Sequence, residues 1–217
     1  GDPTNVGGYN LLEPFADYSL VEKQGLNGLV FALIALDTKN YTVPKLAAEG
    51  TQTTREKLID GILAAEMNGG GWAYSGDKAD PDMTGMVLQA LAPYYESTTR
   101  VKEPVDRAIA VLSNIQDADG GYSSWGYQSS YSCAQVVCAL AALRIDADTD
   151  ARFIKNGVSA LDALRTYYIE EEKGFKGSPS DKEVSAGATD QAVYALTAYE
   201  LLKNQKTRFQ VPLPLPR

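Results

Sequence analysis

The chain has 217 residues, 44% of them hydrophobic, enough to bury a sizeable core, and no apolar run is long enough to span a membrane. Its 28 acidic against 20 basic residues leave a net charge of -8, which repels a phosphate backbone and argues against nucleic acid as a partner. Histidine is absent, and with it go the usual general base, the commonest metal ligand and every Ser/His or Cys/His nucleophile pair.

In chain order, "GLNGLVFALIAL" is apolar nearly all round and predicts a buried helix over about 26–36. "TTREKLIDGILAAEM" is amphipathic, with Leu58, Ile59, Ile62 and Leu63 on one face and Thr53 and Glu56 at capping-box spacing. "GGGWAYSGDKADPDMTGMVLQALAPYY" joins a glycine run and Trp72 to Asp77, Asp80 and Asp82, then to an apolar helix predicted over about 84–95 with Asp82 as its N-cap. No Lys-Ser/Thr pair follows the glycines, so they read as a structural joint rather than a phosphate cradle. "EPVDRAIAVLSNIQ" is amphipathic through Val105, Ile109 and Leu112, with Pro104 near the expected start.

After "GGYSSWG", "SYSCAQVVCALAAL" predicts a buried helix over about 132–143, capped by Ser132 with Gln135. Its cysteines, Cys133 and Cys138, are five apart, face different directions and read as small buried apolar residues, which leaves the redox compartment open. "IDADTD" puts Asp146, Asp148 and Asp150 at calcium-loop spacing, but the twelfth position is Gly157 rather than glutamate, so a solvated turn and cap is the better reading. "RFIKNGVSALDALRTYY" is again amphipathic, and "ATDQAVYALTAYELL" predicts a last buried helix over about 189–202. The prolines of "RFQVPLPLPR" fix φ and remove donors, so an extended tail is expected over 207–217, beyond a helical domain over 1–206.

These elements repeat. Trp72, Tyr122 and Phe175 follow glycine-containing landmarks at spacings of 50 and 53, and the Ala-Leu pairs beginning at Ala35, Ala90, Ala139 and Ala195 are spaced by 55, 49 and 56. An amphipathic helix paired with an apolar one every fifty or so residues implies two layers, and no sustained period-two alternation argues for strands. The fold class expected is all-α.

The order of "AAEMNGGGW" or "NIQDADGGY", a loop and then a buried small-residue helix resembles the repeat of squalene cyclases and protein prenyltransferases. "KQGLNGLVFALIALD", "GGGWAYSGDKADPDMTGMVLQALAPY", "RFIKNGVSALDALRTYY" and "ATDQAVYALTAYE" are similar to the prenyltransferase/squalene-oxidase-repeat domains of secreted bacterial surface proteins, from about Gln24 to Leu202. The resemblance implies an α/α toroid of inner and outer helices, here an incomplete ring of about four repeats. It also implies an extracellular or cell-surface location, alongside other domains of a longer chain. In such repeats a glutamine near the end of the outer helix and the aromatic after the glycines tie that helix to the next loop; Gln116 and Tyr122 stand six apart, as do Glu66 and Trp72.

Three chemistries tied to such folds lack residues here. Cyclases protonate substrate from a motif with adjacent aspartates, and "DPDM" has Met83 in place of the second. Prenyltransferases bind zinc through Asp, Cys and His, and there is no histidine. The thioester of complement-type toroids needs glutamine three residues after the cysteine, where Val136 stands. No metal, cofactor or catalytic residue is therefore assigned. If a site exists, it belongs at the N-terminal ends of the inner helices, where free amides and positive helix ends converge. Asp82, Thr84, Tyr131, Thr189, Asp190 and Gln191 would line it, with Trp125 and Tyr127 stacking on a glycan, peptide or small-molecule ligand. The expectation is a non-catalytic binding or scaffold module. The alternatives are a carboxylate-dependent glycan-active enzyme using Asp80 or Asp82 with Asp190 and, behind that, a terpenoid cyclase or prenyltransferase.

Overall fold

The computed structural model describes residues 1–47 and 49–204, so the expected proline-rich tail lies outside the described residues. The chain divides into two compact units, Gly1–Glu66 and Met67–Arg217. Both are mostly helical.

The first unit carries α1 (Tyr18–Glu22), α2 (Gly25–Asp37) and α3 (Arg55–Ala64). Leu29, Val30, Leu33 and Leu36 of α2 and Leu58, Ile59 and Ile62 of α3 are buried, as the apolar patterning requires. Arg55, the first residue of α3, ends α2: its Nε contacts the Asp37 carboxylate at 2.6 Å, and its guanidinium donates to the Leu36 and Tyr41 carbonyls at 2.9 Å. That satisfies carbonyls a helix end leaves open. The cap of α3 is Thr54 rather than Thr53; the Thr54 side chain accepts from the Lys57 N–H, while Thr53 is buried.

The second unit carries α4 (Pro81–Leu91), α5 (Thr99–Ile115), α6 (Ser130–Ala142), α7 (Ala160–Arg165) and α8 (Ala186–Lys203). α4, α6 and α8 pack side by side in that order. Val87, Leu88 and Leu91, then Val136, Val137 and Leu140, then Ala192 and Ala195 are buried along this row. α5 is two-faced, burying Val105, Ile109 and Leu112 as its periodicity requires. It begins five residues before Pro104, which sits inside the helix and not at its start.

The fold is mostly helical, as expected, and short strands join the helices. Among the described residues there are three antiparallel hairpins of two-residue strands: β1 (Ser123–Ser124) with β2 (Tyr127–Gln128), β3 (Ile154–Lys155) with β4 (Val158–Ser159), and β5 (Tyr168–Ile169) with β6 (Gly174–Phe175). The second takes up the first half of the segment read as one amphipathic helix, leaving only α7 helical there.

Each of the three packed helices is entered by the same clasp. Asp80, Ser129 and Ser185 are the N-caps of α4, α6 and α8, and their backbone N–H groups donate to the carbonyls of Trp72, Tyr122 and Phe175 at 2.9, 3.1 and 2.9 Å. Four residues after the cap a side chain returns to the same aromatic residue. Thr84 Oγ1 accepts from the Trp72 N–H and donates to its carbonyl, both at 2.9 Å. Thr189 Oγ1 repeats this on Phe175 at 2.9 and 3.4 Å. In α6 the place belongs to Cys133, whose thiol lies against the Tyr122 backbone. The aromatic rings are buried. Gln116 closes the end of α5 as the repeat resemblance implies, donating to the Gly120 and Phe153 carbonyls at 2.8 and 3.0 Å. Gly120 has φ +82, and a Cβ there would stand 2.8 Å from the Val158 carbonyl oxygen, so both the turn and the close approach require glycine.

Two caps expected from sequence move accordingly. Asp80, not Asp82, caps α4, because Pro81 fits the first helical position and fixes the start there. Ser129, not Ser132, caps α6, and accepts from the Ser132 N–H.

Candidate functional site

The loop from Tyr74 to Asp80 and the β1–β2 hairpin lie at the N-terminal ends of α4 and α6. Asp80 holds the loop with both oxygens, accepting from the Met83 N–H at 2.7 Å and the Tyr74 N–H at 2.9 Å. The hairpin is fastened at its base: Ser123 Oγ donates to Asp117 at 2.7 Å, and Gln128 Nε2 donates to Asp119 at 2.6 Å. Between them lies a cleft of about 320 Å³, lined by Ser75, Lys78, Ala79, Asp80, Pro81, Ile115 and Ser123 to Trp125.

Trp125 is 71% exposed at the hairpin tip, and its neighbours Tyr74 and Tyr127 are exposed as well. The turn that carries it is Trp125-Gly126, with φ +55 and +83. The second hairpin turns through Asn156-Gly157 with φ +49 and +84. Two positive φ values define the turn favoured in two-residue hairpins, and Asn-Gly is its preferred sequence, because asparagine tolerates the left-handed region and bulky residues do not. A tryptophan therefore occupies a strained position at no benefit to the core.

Behind the hairpin, in the first turn of α4, stands Asp82. Burial raises its carboxyl above the usual carboxylate range, while the nearby Ser124 and Ser132 hydroxyls pull it down. Asp82 Oδ1, Ser124 Oγ and Ser132 Oγ are buried, none of them in a hydrogen bond of good geometry. Ser124 thus belongs both to this polar pocket and to the cleft lining.

The residues singled out from sequence separate into three groups. Trp125 lines the cleft; Tyr127 is exposed on the second strand of the same hairpin and Asp82 lies by Ser124, outside the lining. Thr84 and Thr189 do not line it; they are committed to the clasps, and Thr84 is fully buried. Tyr131, Asp190 and Gln191 belong to α6 and α8: the Tyr131 hydroxyl meets Ser185 Oγ at 2.9 Å, Gln191 accepts from Gln135 at 3.0 Å, and Asp190 is exposed. Gln135 in turn accepts from Gln89 at 2.8 Å, so an amide ladder crosses α4, α6 and α8. Lys78, Ser124 and Ile115, all lining the cleft, were not anticipated.

Neither cysteine is a nucleophile. Both are buried, and burial pushes the Cys133 thiol up to about 12. The aspartates of "IDADTD" are engaged within the protein. Burial pushes Asp146 up, but bonds from Lys203, the Asp148 N–H and Tyr199 outweigh it and hold the carboxyl at about 2. Asp150 caps a turn at Ala151–Phe153. Among the described residues, no cluster of three or more His, Cys, Asp or Glu residues is placed to hold a metal.

Repeated helix entry through an aromatic clasp, with polar and aromatic residues gathered where the helices begin, defines a helical-repeat protein of the terpenoid-cyclase type. Residues 74–206 match the squalene-hopene cyclase C-terminal domain, and since this is more than half of the chain, the protein belongs to that family. No curated protein matches it closely.

Proposed function

We propose that the chain is a non-catalytic binding module that holds a flat, hydroxyl-bearing ligand, a glycan in the first instance, in the cleft beneath Trp125. The observation that carries this reading is the tryptophan in a turn position suited to asparagine: an exposed indole held at a conformational cost is explained by contact with something outside the chain. Ser75, Lys78 and Ser123 in the cleft lining offer polar groups beside the indole, which suits a hydroxyl-bearing ligand. In this reading α4, α6 and α8 are inner helices of an incomplete α/α toroid with α5 and α7 outside, and the module serves a secreted or surface protein of bacterial type. The test is an oligosaccharide array probed with the wild-type chain and Trp125→Asn. Retention of selected glycans by the wild type alone supports the reading, and equal retention by both would refute it.

A second reading rests on Asp82. A carboxyl that burial makes easier to protonate, at the third place of an Asp-x-Asp sequence, is suited to donate a proton, as the acid of the cyclases does. Cyclised products from squalene or a shorter polyprenoid, lost in Asp82→Asn, would favour catalysis over simple binding. Glycan hydrolysis by an Asp80 pair is less well supported, since both Asp80 oxygens are occupied by backbone amides.

A further inference from the structure

Three asparagines of the chain, Asn27, Asn68 and Asn156, are followed by glycine, and the fold gives each pair a different setting. The pair matters because glycine has no Cβ to shield its nitrogen, which can reach the amide carbon of the preceding side chain wherever the backbone is free to turn that way. Asn27-Gly28 lies inside α2, whose helical ψ holds the Gly28 nitrogen away from that carbon. A Cβ on Gly28 would stand 2.3 Å from the Val21 carbonyl oxygen, so the segment is also tightly packed. Asn156-Gly157 is the turn of the β3–β4 hairpin, with paired strands on both sides of it and Asn156 Nδ2 donating to the Ala118 carbonyl at 2.9 Å.

Asn68-Gly69 has neither restraint. The Gly70 N–H donates to the Met67 carbonyl and the Met67 N–H to the Gly71 carbonyl, both at 2.9 Å, so the turn is fixed at its ends. In its middle Asn68 and Gly69 are both exposed, and neither the Asn68 side chain nor the Gly69 N–H makes a hydrogen bond among the described residues. Gly69 has φ +95, and a Cβ built on it would meet nothing within 4 Å, so its surroundings are open. The next repeat shows what the turn requires. There the Gly120 N–H donates to the Asp117 carbonyl at 3.0 Å and the Asp117 N–H to the Gly121 carbonyl at 2.9 Å, with Ala118-Asp119 in place of Asn68-Gly69. The same two hydrogen bonds form without an asparagine.

We infer that Asn68 is a site of spontaneous covalent modification, where the folded chain converts to aspartate and isoaspartate while its other two Asn-Gly pairs are protected. The Gly69 nitrogen gives up its proton and bonds to Asn68 Cγ; the Cγ–Nδ2 bond breaks, and the amide nitrogen leaves with a proton as ammonia. Water then opens the five-membered ring at one of its two carbonyls, leaving aspartate on the original backbone or isoaspartate with the chain routed through Cγ. One ammonia is lost and one water gained, with no change in oxidation state. The product carries one more negative charge, and its isoaspartyl form adds a methylene to a turn with little room beside it. A Cβ on Gly70 would stand 2.8 Å from Arg107 Cβ, and one on Gly71 2.8 Å from Ala79 Cβ. Gly71 leads directly into Trp72, so the lengthened turn loosens the first clasp. The site is separate from the Trp125 cleft and stands whether or not that cleft binds a ligand.

Incubating the intact chain in warm, mildly alkaline buffer and mapping its tryptic peptides by mass tests the inference, because the three pairs fall in separate peptides ending at Lys39, Lys78 and Arg165. The amide-to-acid mass gain should accumulate at Asn68 about tenfold or more faster than at Asn27 or Asn156, which need a local opening first. In urea, where no such opening is needed, the three rates should converge. Asn68→Ala should abolish the fast conversion at an unchanged melting temperature, as Ala118 fills that place in the next repeat, and the isoaspartyl form isolated by anion exchange should melt below the unconverted chain. Conversion of Asn27 or Asn156 as fast as Asn68 in the folded chain, no conversion at Asn68, or an unchanged ranking in urea would overturn the inference. An isoaspartyl form as stable as the original would overturn its effect on the clasp.

Discussion

Replacing Trp125 with asparagine separates display from packing. A fully buried tryptophan covers roughly 250 Å². With 71% of the residue exposed, less than a third of that is covered, roughly 70 Å² or about 1.8 kcal/mol at about 25 cal/mol per Å². Realistic unfolded chains already bury some of this area, which lowers the loss toward about 1.2 kcal/mol. Against it, asparagine relieves about 1 kcal/mol of left-handed strain at φ +55. Trp125→Asn should therefore melt within about 3 °C of the wild type, using about 2–4 °C per kcal/mol for a chain of this size. Trp125→Ala loses the contact and keeps most of the strain, so it should fall about 1 kcal/mol below the asparagine variant. Calorimetry supplies the measurement, with the glycan array run beside it. A loss of 3 kcal/mol or more for Trp125→Asn would mean that the indole is a packing residue, and the cleft would lose its main support.

Three further outcomes are expected. Thr84→Val removes the acceptor of the Trp72 N–H in a buried clasp, where the Trp72 carbonyl keeps the Asp80 N–H, and should cost about 1–3 kcal/mol, while Thr84→Ser should keep most of the stability; urea unfolding of both would show it. Gly120→Ala meets both a positive φ and the Val158 carbonyl, and should cost about 2–3 kcal/mol in the same assay, a neutral effect being the contrary result. Because burial raises Asp82 above the ordinary 3.8, its protonation favours the folded state, and the benefit is present below 3.8 and lost as pH rises through the folded value. Asp82→Asn should therefore stabilise the chain at pH 7 and lose that advantage near pH 3; Asp146, whose lowered carboxyl acts in the opposite direction, is common to both proteins and cancels. An equal difference at both pH values would contradict the assignment.

The packed helices were legible because apolar residues recur all round them, and three of the four expected segments begin two or three residues inside the observed ones. The offset is local chemistry. "DPDM" offers two capping aspartates, and Pro81 between them decides for the first. "SSYSCAQ" offers three serines, of which the one bonded to the Tyr122 carbonyl wins. The hairpins escaped because two residues cannot show an alternation, although "KNGV" carried the strongest short turn signal in the chain. Thr84 and Thr189 were assigned to a ligand when the signal to read was their recurrence four residues after a cap, behind a buried aromatic. Trp125 needed no such help. The reason its exposure matters, a turn geometry shared with Asn156, exists only in the backbone angles.

The clasps also bear on how the chain folds. Asp80 reaches back eight residues to Trp72, Ser129 seven to Tyr122 and Ser185 ten to Phe175, so each helix start is fastened to an aromatic residue very near it in sequence. Loops this short close at small entropic cost and on the fastest timescales of chain motion. Each clasp can therefore form while the neighbouring repeats are still unstructured, and what remains is the lateral docking of helices already pinned at one end. Native-state hydrogen exchange would then find the amides of Asp80, Ser129 and Ser185 protected through openings that expose the seams between α4, α6 and α8.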